Sequence, residues 1–225
     1  YATKPLARFY VYVDALSKKV LKKENRIHDT STDGTAETMY HGTQSIKTDS
    51  ASANHFVLVD SVNKVFTKNI QNTTNINAAT NFVNNSNYWN NTTNNDNAAH
   101  DAHWGSTKTL EYFLTRFGLN SYDGNGTSLN SYIHYDNNYN NAFWDGASIF
   151  FGDGDNVKYS PLTSIDVVAH EITHAITENS ADLVYNSESG ALNESFSDIF
   201  GTALEFAVSP NSANWNMGDL FDLNG

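Results

Sequence analysis

Two histidines four residues apart with a glutamate beside the first, His170-Glu171-Ile172-Thr173-His174, are the residues of this chain best spaced to do chemistry. On an α-helix positions i and i+4 share a face, so both imidazoles can reach one ion. Neutral imidazole suits zinc, and the adjacent glutamate can serve as a general base. The flanks read as helix. Ile165, Val168, Ile172, Ala175 and Ile176 recur at core spacing, and Ser164 stands where an N-cap belongs. The same five residues would also suit a core helix carrying two hydrogen-bonded histidines, so the rest of the chain has to decide.

A catalytic zinc takes three protein ligands and keeps a fourth position open. A metzincin-type continuation needs glycine at position 177 and histidine at 180, where Thr177 and Ser180 stand. Glu178 shares the histidine face, but at about 1.5 Å per residue it lies roughly 12 Å from His170, too far to share an ion. The third ligand must come from another segment. Glu194 opens a second predicted helix over 191–206, with Leu192, Phe196, Ile199, Ala203 and Phe206 as its expected buried stripe. Asp198 shares the face of Glu194 and can accept the spare N–H of a metal-bound histidine. Glu194 is therefore the expected third ligand.

Three stretches together resemble a known family. His170 to His174, the run Gly-Ala-Leu-Asn-Glu-Ser-Phe-Ser-Asp-Ile-Phe-Gly over 190–201, and Tyr139-Asn140-Asn141-Ala142-Phe143-Trp144 look like the thermolysin family of zinc metallopeptidases, most densely between residues 98 and 220. Two histidines and a glutamate are that family's own zinc ligands. The resemblance implies a secreted zinc endopeptidase acting on peptides or proteins. It makes Glu171 the base and Tyr185 the donor to the oxyanion. Asn141 and Ala142 fall on an edge strand to which substrate adds. Tyr159, Leu162 and Val167 fall around a pocket for a bulky apolar side chain just after the cut bond. Asp166, Glu205 and Asp219 match calcium ligands of the family. Where the family has two further carboxylates this chain has Asn214 and Asn216, so one calcium rather than an adjacent pair is expected.

The expected fold class is α+β: a twisted, antiparallel, β-rich N-terminal lobe leading into the zinc-binding helix and a second ligand-bearing helix. Residues 1–28 carry seven lysines and arginines against two acids, in a chain of net charge −12. Alternating residues over 7–14 and 19–26 read as a hairpin. This basic piece resembles the last hairpin of a thermolysin-type propeptide, cleaved within 27–34, which makes the enzyme's own propeptide a partner. Residues 29–225 are then the N-terminal catalytic domain, expected to end before the family's C-terminal helical domain. That domain supplies the other wall of the cleft and a histidine that assists Tyr185, and no histidine follows His174. On this expectation the helices over 164–178 and 191–206 expose apolar surface.

Composition narrows the alternatives. There is no cysteine, so thiol catalysis and thiolate metal sites are excluded. The acidic balance argues against general nucleic-acid binding, and no apolar run approaches the roughly 20 residues of a membrane span. A helix is expected from His103 to Phe117, stopped by Gly118, and His100 and His103 read as packing or solvent-exposed residues rather than a second metal site. The Gly152-Asp153-Gly154-Asp155 stretch reads as a turn without a metal. A zinc-stabilised binding module remains the rival, and Glu171 speaks against it because a structural site has no use for a base.

Overall fold

The computed structural model describes residues 2–3, 6–7, 9–25, 30–52 and 54–224. An N-terminal hairpin pairs β1 (Phe9–Val13) with β2 (Val20–Asn25), antiparallel from Phe9↔Asn25 to Val13↔Val20. Asp14 opens its turn by accepting the Leu16 amide at 3.0 Å. This is the hairpin the alternation predicts. Position 26 and the first part of the expected cleavage segment, 27–29, lie outside the described residues, whereas 30–34 already belong to the next strand.

Two sheets follow. In the first, β3 (Thr30–Glu37), β4 (Thr43–Ser52) and β5 (His55–Val57) are successive antiparallel neighbours. The second holds β6 (Val59–Asp60), β7 (Val65–Thr73), β8 (Leu129–Tyr135), β9 (Ala142–Trp144) and β10 (Ile149–Phe151). Its spatial order is β7-β8-β10-β9, with β6 paired to β7 and β9 at the edge.

The expected antiparallel pairing holds for β3, β4 and β5 and for β6 with β7, but not around β8. β8 runs parallel to β7, with Leu129 opposite Val65, and parallel to β10, with Ser131 opposite Ile149. The cause is the long helix α1 (Asp96–Phe117) between β7 and β8, because a helical crossover brings the chain back in the same direction. β9 then passes to the edge, and β10 turns back antiparallel to it, Ala142 opposite Phe151. α1 stops at Gly118, which adopts φ 70° as a glycine beyond a helix end does. It starts at Asp96, well before the predicted His103.

α2 (Ile165–Glu178) packs on α1. The contact is close because Gly105 has no side chain: a Cβ there would lie 3.1 Å from Ile165 Cδ1 and Val168 Cγ1. Ile165, Val168, Ile172 and Ala175 are buried, as their spacing requires. Each buried aliphatic of valine or larger size contributes about 1.5–3 kcal/mol.

α3 (Ser187–Val208) inverts the predicted stripe. Leu192, Phe196 and Ile199 are exposed, and the buried face is Gly190, Asn193, Ser197, Gly201, Thr202, Leu204 and Glu205. α3 crosses α2 almost backbone to backbone, since a Cβ on Gly201 would stand 2.6 Å from the Asp166 carbonyl oxygen. Only small side chains fit such a crossing, so the large apolar ones turn outward. The expected exposed apolar surface is thus found on α3 but not on α2, whose aliphatic residues are covered.

Candidate active site

α2 and α3 bring the expected ligands together. His170 and His174, one turn apart, place their Nε2 atoms 3.0 Å from each other. Glu194 presents Oε2 at 3.3 Å from His170 Nε2 and Oε1 at 3.6 Å from His174 Nε2. Their ligand atoms all lie within 4.8 Å of one another, and among the described residues no other group of three His, Cys, Asp or Glu side chains does so.

The opposite ring nitrogens fix the tautomers. His170 Nδ1 lies 2.9 Å from Asp198 Oδ1, and His174 Nδ1 lies 2.7 Å from Asn193 Oδ1 and 3.2 Å from Ser197 Oγ. With each Nδ1–H donated outward, each Nε2 keeps a lone pair. Two lone pairs and a carboxylate then face one another, an arrangement that needs a cation. Two neutral imidazoles and a carboxylate suit zinc. Burial, and then the neighbouring His174, hold His170 below its ordinary pKa of 6.5 against the pull of Asp198 and Glu194, which favours the neutral form that binds metal. Asn193 was not singled out from the sequence. Its signal is that Asn193 and Ser197 repeat the four-residue spacing of Glu194 and Asp198 one position earlier.

Glu171 is buried beside the ligands. Burial, and then the charge of Glu194, push its pKa up to about 8, with the Trp144 backbone amide opposing. A cation held by His170, His174 and Glu194 acts in the other direction. Tyr185, mostly exposed on the connection between α2 and α3, donates its hydroxyl to Glu194 Oε1. That bond, with burial and the charges of Glu194 and Glu171, raises the phenol to about 12.

Asn141 and Ala142 line a cleft of about 760 Å³ together with His170, Glu171, His174 and Tyr185. Trp144 Nε1 donates to Glu178 Oε2 at 2.6 Å, so Glu178, excluded as a ligand by its distance, ties β9 to the end of α2. An adjoining recess of about 200 Å³ is lined by Leu162, Val167, Met217 and Phe221. Tyr159 stands behind that wall rather than in it, its ring 5.3 Å from that of Phe221.

The expected calcium residues are engaged within the protein. Asp166 Oδ2 accepts the Gly218 amide at 2.6 Å, and Asp219 Oδ2 accepts from Asn214 Nδ2 at 2.7 Å. Burial, and then Asp166, hold the Glu205 carboxyl up to about 7, with Asp219 adding to the effect. Asp166 and Asp219 both act on Glu205, but among the described residues the oxygens of the three do not converge as the donors of His170, His174 and Glu194 do.

Comparison with known proteins agrees with this geometry. Residues 33–178 match the model of the thermolysin metallopeptidase catalytic domain, and residues 181–224 match that of the thermolysin metallopeptidase alpha-helical domain. The second match corrects the expectation that the chain ends before the helical domain, which is present here with α3 in it. The expectation failed because α3 carries Glu194 and was therefore counted with the catalytic half. Bacillolysin from Bacillus amyloliquefaciens is 38% identical over 218 residues, covering 95% of this chain and 40% of that protein. Bacillolysin from Bacillus cereus is 50% identical over 125 residues, covering 55% of this chain and 22% of that protein. Among solved structures, the precursor of protealysin, a metalloproteinase from Serratia proteamaculans, matches with a TM-score of 0.61 and 33% identity over 72% of this chain and 50% of that one. The chain spans less than half the length of these curated relatives. Since the catalytic-domain match alone extends over well more than half of its residues, the chain belongs to the thermolysin metallopeptidase family.

Proposed function

We propose that the protein carrying this chain is a secreted zinc endopeptidase. The observation that carries the reading is the convergence of His170, His174 and Glu194 in a cleft that also holds Glu171 and the edge strand β9. His170, His174 and Glu194 hold the zinc, with Asp198 and Asn193 orienting the two imidazoles from behind. Bound there, zinc supplies Lewis acidity, making a water more acidic and polarising a carbonyl.

The chain's own groups do the rest. Glu171 accepts the attacking water's proton and passes it to the leaving amine. Tyr185 releases Glu194 and donates its hydroxyl to the oxygen on which negative charge develops, a rotation open to an exposed side chain. Asn141 and Ala142 take the peptide backbone as an added strand. The recess at Leu162 and Val167 accepts a bulky apolar side chain just after the cut bond, with Tyr159 buttressing Phe221. Calcium enters the reading at one site only, where a cation near Asp166, Glu205 and Asp219 would relieve their mutual repulsion. Residues 1–28 are the tail of the enzyme's own propeptide, and the catalytic domain that follows leads into the alpha-helical domain matched over 181–224.

The test is zinc content together with peptide hydrolysis in the full-length, matured protein, wild type against Glu171→Gln. Stoichiometric zinc in both with turnover only in the wild type supports the reading. Equal turnover would remove Glu171 from the chemistry. Zinc without hydrolysis in the wild type would favour a zinc-stabilised binding module.

A further inference from the structure

The tip of the β3–β4 hairpin reaches the start of α2. Thr38 Oγ1 accepts the His41 amide at 2.9 Å and donates to the Gly42 carbonyl at 2.8 Å, and Gly42 takes φ 66°, a conformation open to a residue without Cβ. Asp101 on α1 accepts the Tyr40 amide at 3.3 Å, and the Tyr40 hydroxyl donates to the Pro161 carbonyl at 2.6 Å. Seated in this way, His41 accepts the Ile165 N–H on Nε2 at 3.0 Å, from 124 positions away in the chain. Its ring lies 5.1 Å from that of Trp104, and its side chain is 6% exposed.

The first N–H groups of a helix have no partner within it, and a serine or threonine at the N-cap ordinarily supplies one. α2 does not use that device. Ser164 occupies the N-cap without a side-chain bond, and Ser164 Oγ and Thr163 Oγ1 are both buried without a hydrogen-bond partner. The amide of the first helical residue goes instead to a side chain of the N-terminal lobe.

We propose that His41 is a positioning residue for the ligand-bearing helix, its Nε2 locking the first turn of α2 to the N-terminal lobe and so fixing the rotation at which His170 and His174 meet Glu194. The cap stands on geometry alone, whereas its consequence for metal binding rests on the zinc reading above. His170 follows Ile165 by five residues, roughly 7.5 Å along the axis, so a twist in the first turn is carried to the imidazoles. The bond also requires an unprotonated Nε2. The charged groups facing His41 are Asp101 of α1, with Oδ1 at 3.9 Å, and Asp166 of α2. Burial outweighs Asp166 and holds the imidazole below its ordinary 6.5. The cap is therefore intact at neutral pH and lost as pH falls below about 6.5 toward that lower value.

The experiment is backbone hydrogen exchange of the first turn of α2, corrected for intrinsic pH dependence, with zinc affinity and kcat and KM measured on the same proteins. His41→Gln keeps an acceptor near the place of Nε2 and does not titrate; His41→Leu keeps bulk without an acceptor. At pH 7.5, His41→Leu should exchange these amides roughly tenfold faster than wild type, and His41→Gln should stay close to it. As pH is lowered through the depressed imidazole pKa, wild type should approach His41→Leu while His41→Gln stays protected. His41→Leu should also bind zinc more weakly and lose kcat with little change in KM, and His41→Gln should regain most of both. Unchanged exchange in His41→Leu overturns the cap. Faster exchange with unchanged zinc affinity overturns the positioning role. Should His41→Leu lose protection throughout and prove unfolded, the pH comparison of wild type with His41→Gln decides the cap, and loss of protection by both over the same acid range overturns it. A wild type that holds no zinc overturns the functional reading and the positioning role together, while exchange still decides the cap.

Discussion

Two pairs of histidines lie on neighbouring helices of one core and do different things. On α1, His103 uses both ring nitrogens within the protein, Nδ1 at 2.8 Å from Thr67 Oγ1 and Nε2 at 2.7 Å from the Lys47 carbonyl. His100 Nδ1 lies 2.8 Å from the Glu37 carbonyl. On α2, His170 and His174 spend only Nδ1 on polar partners that fix their orientation, and both Nε2 atoms turn toward Glu194. Both spacings place the rings on one helix face, yet the α1 rings go to separate strands while the α2 rings converge at Glu194. Residue type is shared by the two pairs, but the α1 histidines are fully buried and the α2 histidines only partly so. What sets His103 apart from the α2 pair is that its second nitrogen meets a backbone carbonyl rather than another candidate metal donor.

The largest effect should come from the group that serves only the α2 pair. Glu171→Gln should keep stoichiometric zinc and lose kcat by about 1,000-fold or more, measured by peptide hydrolysis at equal metal occupancy. Next, Glu194→Ala should abolish stoichiometric zinc, read by metal analysis after dialysis. Full retention would mean that another side chain is the third ligand. Asp198→Ala or Asn193→Ala should weaken zinc roughly 10- to 100-fold by competition titration, because each frees one imidazole to rotate. His103→Ala should cost about 2–4 kcal/mol in denaturant unfolding yet leave zinc stoichiometry intact. Zinc loss in that variant, beyond what unfolding explains, would erase the contrast between the pairs.

The smallest prediction brings in another histidine. Buried His134 lies 2.7 Å from Asp153 Oδ1 and 3.5 Å from Asp96 Oδ1. Burial alone would lower its pKa, but the hydrogen bonds and charges of the two aspartates prevail and raise it to about 9. A raised histidine pKa stabilises the fold fully below its unfolded value near 6.5, and that contribution is lost as pH rises through about 9. Unfolding free energy should therefore fall by on the order of 2–3 kcal/mol between pH 6 and pH 10 through this group. His134→Gln should flatten that slope. An unchanged slope would show that the two carboxylates do not clamp an imidazolium.

The convergence of His170, His174 and Glu194 was legible because each step is local: a four-residue repeat on one helix, then a carboxylate opening another. The strand directions in the second sheet were not, since nothing within residues 129–135 reports that both neighbours run parallel to them. The face of α3 was misread for a physical reason. Apolar periodicity predicts burial when helices pack through large side chains, but α2 and α3 approach too closely for that, as Gly201 against the Asp166 carbonyl shows. Gly190, Asn193, Ser197 and Gly201 recur at helical spacing and mark the buried face. The same inversion hid Asn193, a polar residue on what proved to be the inner side.

The shortness of β9 sets a condition on whatever docks there. Its three residues are paired on one side by β10, and among the described residues no strand pairs them on the other. A chain can bind on that other side only by giving up its own internal hydrogen bonds over the same length. A helix or a ladder-paired strand in a target protein must therefore open first, and the free energy of that opening subtracts from its affinity. On the endopeptidase reading, folded targets should be attacked first at frayed termini and mobile loops, where local opening costs least.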